Sequence, residues 1–118
     1  MTKMKYFKES EFTCDGVNCF DKMNPELLMM LDESRKIADI PFNITSSWRS
    51  EEHNKSVGGK DNSSHLRGLA VDIACDSSSK RLFMLDALIV SGFTRIGIAK
   101  TFIHADCDNE LPQEVLWI

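Results

Sequence analysis

Two of the three histidines lie near aspartates in a pattern that suits a metal ion. His65 precedes Asp72, and Gly68 between them allows the backbone to bend so that the imidazole can fold back over the aspartate. His104 lies further along the chain, in another segment that also carries Asp106. Histidine nitrogens and aspartate oxygens suit zinc, which takes three protein ligands and keeps a fourth position open in catalytic sites. The sequence therefore predicts one zinc ion per chain, held by His65, Asp72 and His104.

Two short strands are expected to bring these ligands together. Residues 69–75 are apolar and β-branched, as is typical of a strand, and residues 101–108 show strand alternation. Alternate side chains of a strand share a face, so Asp72 lies on the face opposite Val71, and His104 shares a face with Asp106. If both strands belong to one sheet, their polar faces coincide and the three ligands converge.

The segment from Ser63 to Asp72 resembles the zinc-binding signature of the M15 family of peptidoglycan peptidases. That family contains D-Ala-D-Ala carboxypeptidases and dipeptidases, L-alanyl-D-glutamate endopeptidases of phage endolysins, and related murein endopeptidases. Hedgehog-type signalling domains share the scaffold, so the resemblance implies a zinc site more firmly than it implies catalysis. The similarity runs from about residue 10 to the end and is carried by Ser63-x-His65-x-x-Gly68-x-Ala70-x-Asp72, by residues 44–59 and by Phe102-Ile103-His104-Ala105-Asp106.

The resemblance implies roles for two residues beside the metal. Arg49 matches an arginine that lies over the metal in the family and holds the polarised carbonyl of the substrate. A fixed guanidinium there would stabilise developing oxyanion charge. The alternative is a surface arginine that pairs with Glu51 or Glu52. Ser63 matches a serine that helps to bind the backbone or carboxylate of the substrate.

The general base is the incomplete part of the pattern. Zinc hydrolysis needs a group that takes a proton from water and passes it to the leaving amine. Many family members place an acid or histidine two or three residues before the last ligand, where this chain has Phe102 and Thr101. Asp106 is the nearest candidate base, and its alternative role is to orient a ligand or bind a loop.

Three functions stay open at this point. The first is a zinc peptidase of peptidoglycan stem peptides, and the second is a zinc-containing, catalytically silent module that binds cell wall or protein. The third is a metal-free structural domain with a coincidental pattern of histidine and aspartate.

The four cysteines are interpreted separately from this site. Cys14 and Cys19 are close enough in sequence to bridge or to hold a metal, but zinc ribbons use two pairs with shorter spacing and no second pair is present. His53 is expected to be a structural hydrogen-bonding residue outside the metal set. Cys75 and Cys107 are expected to be small buried hydrophobes on faces turned away from the site.

Length and charge restrict the possible partners. The 118 residues predict a single domain over 1–118 and, with no feature that demands partners, a monomer. A net charge of −4 argues against nucleic acid as the main partner, because phosphate binding needs a basic face. The first residues lack the apolar core of a signal peptide, and no apolar run is long enough to span a membrane. We therefore expect a product made in the cytoplasm that acts at the cell wall, as a phage lysin released by a separate pore would.

The remaining elements predict an α+β fold with a mainly antiparallel sheet packed against helices, as in hedgehog and D-Ala-D-Ala peptidase domains. The first helix opens with Asn24 as its cap and Pro25 at its first position, contains Met29 and Met30 as core residues, and is ended by Pro41. The apolar breadth of the helix at 80–90, which includes Leu82, Phe83 and Ile89, suggests packing across a sheet. The other expected elements are an N-terminal arm over 1–20 anchored by Phe7, Phe12 and Phe20, strands at 42–46, 94–98 and 115–118, and a helical turn at 50–56.

Overall fold

The structure is a computed structural model that describes residues 4–118. Its α-helices are Pro25–Ala38 (α1), Glu51–Ser56 (α2) and Ser78–Val90 (α3). Its strands are Thr13–Cys14 (β1), Val17–Asn18 (β2), Ile44–Ser46 (β3), Ala70–Ala74 (β4), Arg95–Ile98 (β5), Phe102–Asp106 (β6) and Val115–Trp117 (β7).

The main sheet has five strands in the order β3-β4-β6-β5-β7. Each neighbouring pair is antiparallel except β5 and β7, which run parallel. The strands β1 and β2 form a separate antiparallel hairpin near the N-terminus. The predicted α+β fold with a mainly antiparallel sheet is confirmed.

The first helix begins as the sequence predicts and ends earlier. The side chain of Asn24 accepts hydrogen bonds from the backbone N–H groups of Glu26 and Leu27, and Pro25 occupies the first helical position, where no N–H is needed. The helix ends at Ala38 because Asp39 adopts a left-handed conformation with φ of 55°. The chain has therefore left the helix before it reaches Pro41.

The predicted burial of the two long helices is partly wrong. Helices α1 and α3 pack against each other, and each buries one stripe rather than a broad face. Met29 is exposed, while Met30 is partly buried against the core. On α3 the buried residues are Met84, Ala87 and Leu88, whereas Leu82, Phe83 and Ile89 are exposed.

The N-terminal arm is anchored by the predicted aromatic residues. Phe7 and Phe12 are buried, and Phe20 packs against the same core. The sequence did not reveal the hairpin of β1 and β2 within this arm. Within residues 4–118, none of the helices combines the length and the apolar character needed to cross a bilayer.

Candidate metal centre

Strands β4 and β6 form the floor of the site. Their register sets Asp72 directly opposite His104 and Ala70 opposite Asp106. The side chains on the other face of the two strands are buried in the core, which leaves the aspartates and the histidine on the site face. The core-facing residues are Val71, Ile73, Ile103 and Ala105. The predicted sharing of one polar face by the two strands is therefore confirmed.

A tight turn before β4 brings His65 to the same face. It is a 3-10 turn over Ser64–Arg67, capped by Ser63, whose side-chain oxygen accepts a hydrogen bond from the backbone N–H of His65 at 3.3 Å. The turn ends at Gly68 with φ of 69°, and a Cβ on that glycine would lie 2.0 Å from the backbone oxygen of Lys22. Glycine is thus required here for both conformation and space.

The three predicted ligands converge on one small volume. Nε2 of His65 lies 3.3 Å from Oδ1 of Asp72, and Nδ1 of His104 lies 2.9 Å from the same oxygen. All three side chains can offer ligand atoms within 4.8 Å of one another. Two ligands of a tetrahedral zinc ion at roughly 2.0–2.1 Å from the metal lie about 3.3 Å apart, so these separations suit a metal ion.

The other nitrogen of each histidine is engaged away from this volume. Nδ1 of His65 lies 2.7 Å from the backbone oxygen of Ser47, and because a carbonyl only accepts, this nitrogen carries the proton. Nε2 of His104 donates to Oδ2 of Asp106 at 2.7 Å. Such bonds fix the tautomer and orientation of metal-binding histidines. Nε2 of His65 and Nδ1 of His104 are therefore the nitrogens directed at Asp72.

Asp106 is fully engaged by neighbouring donors. It is 1% exposed, and besides His104 it accepts hydrogen bonds from Nε of Arg95 at 2.7 Å and from the backbone N–H of Asp108 at 3.1 Å. A carboxylate in this setting is well suited to hold His104 in place. It is less suited to exchange protons with a substrate, because little of it can reach one.

Arg49 is directed into the site by three hydrogen bonds. Its Nη2 lies 3.3 Å from Oδ2 of Asp72, its Nη1 donates to Oδ1 of Asn54 at 3.2 Å, and its Nε donates to Oγ of Ser46 at 2.9 Å. Within the part of the chain that the structure describes, the ion pair of Arg49 is this one with Asp72, rather than a surface pair with a neighbouring glutamate.

The charges of the site perturb two pKa values. Burial alone would raise the pKa of Asp72, but the hydrogen bond from His104 and the neighbouring ring of His65 lower it well below its usual range. Burial alone would lower the pKa of His104, but hydrogen bonds to Asp106 and Asp72 raise it to about 9. Without a metal, His104 is therefore protonated at neutral pH.

An aromatic side chain that the sequence did not indicate covers part of the site. The ring of Trp117 lies 5.5 Å from that of His104, and the guanidinium of Arg95 lies 5.1 Å from the Trp117 ring. The tryptophan fits because Gly97 beneath it has no side chain: a Cβ there would lie 2.4 Å from the indole nitrogen. The pairing of β7 with β5 creates this contact, and the sequence holds no signal for a parallel pairing of these strands.

The other predicted site residues and cysteines are located as follows. Ser63 lies half-buried beside His65 as the cap of its turn, and its contact with substrate stays a prediction.

All four cysteines are free thiols, and Cys75 is buried as predicted. Cys107 is partly buried, and burial together with nearby acidic groups raises the pKa of its thiol to about 11, which disfavours a nucleophile.

Comparison with protein families identifies a match that covers most of the chain. The model of the family described as Peptidase M15 matches residues 5–106, a segment that includes the three metal-site residues, Arg49 and Asp106. None of the curated proteins matches the chain.

Proposed function

Because the chain belongs to the M15 family of peptidases, we propose that it is a zinc-dependent hydrolase of a peptide bond in peptidoglycan stem peptides. The observation that carries the proposal is the convergence of His65, Asp72 and His104, whose ligand atoms lie within 4.8 Å of one another. The donor set of two imidazoles and one carboxylate is one that zinc accepts. Bound there, zinc would supply Lewis-acid polarisation of a peptide carbonyl and activation of water.

Arg49 is proposed to bind the oxygen of the scissile carbonyl. A guanidinium has five N–H groups, and three of them are used by Ser46, Asn54 and Asp72. The other two can donate to a substrate oxygen without moving the side chain. A donor fixed before the reaction stabilises oxyanion charge as it develops.

Asp106 is proposed to act through His104 rather than on the substrate. Its buried carboxylate, held by Nε of Arg95 and the backbone N–H of Asp108, accepts the hydrogen bond from Nε2 of His104 and keeps that ring in one orientation. Nδ1 is then presented toward Asp72. This assignment favours the supporting role over that of general base.

The test is mass spectrometry of purified muropeptides after incubation with zinc-loaded protein. We expect new fragments that identify the cleaved bond. Arg49→Ala protein, which should retain its zinc and serves as the matched control, should form them at least about a hundredfold more slowly. Intact muropeptides after incubation with fully zinc-loaded wild-type protein would contradict the proposal. The protein is proposed to act as a monomer, so cleavage of the cell-wall fragments in this assay should need no added partner protein.

A second candidate function has one observation in its favour. Thr101 and Phe102 occupy the places where many family members are expected to carry an acid, and the nearby Asp106 is buried. A zinc-containing module that binds stem peptides without cleaving them would have this composition. Saturable binding of muropeptides by zinc-loaded protein, with no fragment formed, would select this function over the first.

A further inference from the structure

A second group of metal-binding side chains lies where the N-terminal hairpin meets α2. The sulfur of Cys14, a carboxylate oxygen of Asp15 and a ring nitrogen of His53 all lie within 4.8 Å of one another. Nδ1 of His53 is 2.8 Å from Oδ1 of Asp15. None of these residues belongs to the first site.

The local backbone determines how the three side chains meet. Cys14 is the last residue of β1, and Asp15 and Gly16 form a tight turn into β2 with φ of 51° and 79°. His53 lies in the middle of α2, which Ser50 caps by accepting a hydrogen bond from the His53 backbone N–H. Two separate elements therefore supply the group, one of them through consecutive residues of a turn.

The three residues range from buried to exposed, which suits an ion bound at the protein surface. Cys14 is 8% exposed, whereas the side chains of His53 and Asp15 are 26% and 66% exposed. An ion pair of His53 with Asp15 alone would add only about 0–1 kcal/mol at such a surface. This ion pair also does not involve the sulfur of Cys14 beside it, whereas a bound metal ion would have that sulfur as a ligand.

We propose that Cys14, Asp15 and His53 form a second zinc site, with a structural role. Sulfur and imidazole together favour zinc over magnesium or calcium, which prefer oxygen ligands. Cys14 would bind as the thiolate and release its proton to solvent. Three protein ligands leave one position for water or for a group of a partner.

Such an ion would tie the hairpin to the element that positions Arg49. Helix α2 has six residues, which is too short for a helix to be stable by itself. It carries Asn54, whose side-chain oxygen accepts a hydrogen bond from Arg49. An ion bound by His53 would therefore fix α2, and through Asn54 it would support the orientation of Arg49.

Cobalt(II) titration of the full chain tests this site separately from the first. Thiolate bound to cobalt(II) gives a charge-transfer band in the near ultraviolet, and the first site offers no sulfur ligand. We expect the band to appear in wild-type protein and to persist in His65→Ala protein, in which it should saturate at one equivalent of cobalt per chain. The last result would show that the band does not depend on the first site.

Substitutions identify the ligands. The band should disappear in Cys14→Ser, and in His53→Ala the cobalt affinity measured from it should fall at least about tenfold. Cys19→Ser and Cys107→Ser are the matched controls, since each removes another thiol outside the group, and both should keep the band. Far-ultraviolet circular dichroism establishes that each variant is folded. No band in wild-type protein, a band that survives Cys14→Ser, or an unchanged affinity in His53→Ala would overturn the proposal.

Discussion

Replacing Asp106 with asparagine separates the two roles considered for this residue. The carboxylate accepts hydrogen bonds from Nε2 of His104 and from Nε of Arg95, each at 2.7 Å, and from the backbone N–H of Asp108 at 3.1 Å. Asparagine has one acceptor oxygen in its side chain. Its NH₂ group, in place of the second carboxylate oxygen, would face one of these donors and could not accept a hydrogen bond from it. The substitution keeps the volume while it removes the charge and at least one of these bonds.

The two roles predict effects of different kind. If Asp106 orients His104, zinc affinity should fall about 10- to 100-fold, or roughly 1.4–2.7 kcal/mol, and saturating zinc should restore most of the turnover. If Asp106 is the general base, kcat should fall by about 10²-fold or more and excess zinc should not restore it. We expect the first result, because the residue is 1% exposed and fully engaged by donors.

The measurement combines zinc affinity, from competition with a chromophoric chelator, with muropeptide cleavage at saturating zinc. Asp108→Asn is the matched control, since its side chain is also buried but binds Ser64 and Arg67 rather than His104. It should leave zinc affinity within about threefold of wild type, because it removes no bond to a ligand. Unchanged zinc affinity in Asp106→Asn, with turnover still a hundredfold lower at saturating zinc, would refute the supporting role.

Four further predictions concern the first metal site and its surroundings. Arg49→Ala and Ser63→Ala should keep zinc and lose turnover, the former by about 10²- to 10³-fold. Arg49→Lys should retain only part of the turnover, because the donors of a single ammonium nitrogen cannot match the planar fork of a guanidinium; metal analysis beside kinetics checks this. Zinc affinity, measured by chelator competition, should rise by up to about tenfold per pH unit from pH 6.5 to 9. The reason is that His104 has a raised pKa and must lose a proton before it can bind zinc. Over the same range the metal-free protein should become less stable to urea, since the folded state holds a proton that the unfolded state has lost; rising stability would contradict the assigned charge. Trp117→Ala should raise KM for muropeptides more than it lowers kcat, whereas Leu116→Ala, its exposed neighbour on β7, should change neither.

The shared face of Asp72 and His104 could be predicted because strand alternation is a local property of sequence. A period of two in residues 69–75 and 101–108 is enough to assign Asp72 and His104 to polar faces, and the antiparallel register then sets them opposite each other. Gly68 between His65 and the strand indicated that the imidazole could fold back over the same face. Their convergence needed one further assumption, that the two strands belong to one sheet, and the pairing of β4 with β6 confirms it.

Other features of the structure depend on contacts between segments that are distant in sequence. Trp117 reaches His104 only because β7 pairs in parallel with β5 at the edge of the sheet. His53 meets Cys14 only because α2 lies against the N-terminal hairpin, which the sequence pattern did not reveal. The exposed Leu82 and Phe83 on α3 show the same limitation, since apolar residues in a helix do not indicate how wide its covered face is.

The charges around the first site suggest why two arginines accompany its two aspartates. Arg49 pairs with Asp72 and Arg95 pairs with Asp106, so the buried carboxylates are balanced before any ion binds. In the metal-free protein, the proton on His104 adds one positive charge to this balanced set. Exchange of that proton for a divalent ion would leave the site one charge more positive, with the unused N–H groups of Arg49 beside it. A positive site in a chain of net charge −4 would attract an anionic substrate locally, and the carboxylates of a stem peptide have that charge. The arginines thus balance the buried aspartates in the metal-free fold and would leave the charge of a bound ion available to an anionic substrate.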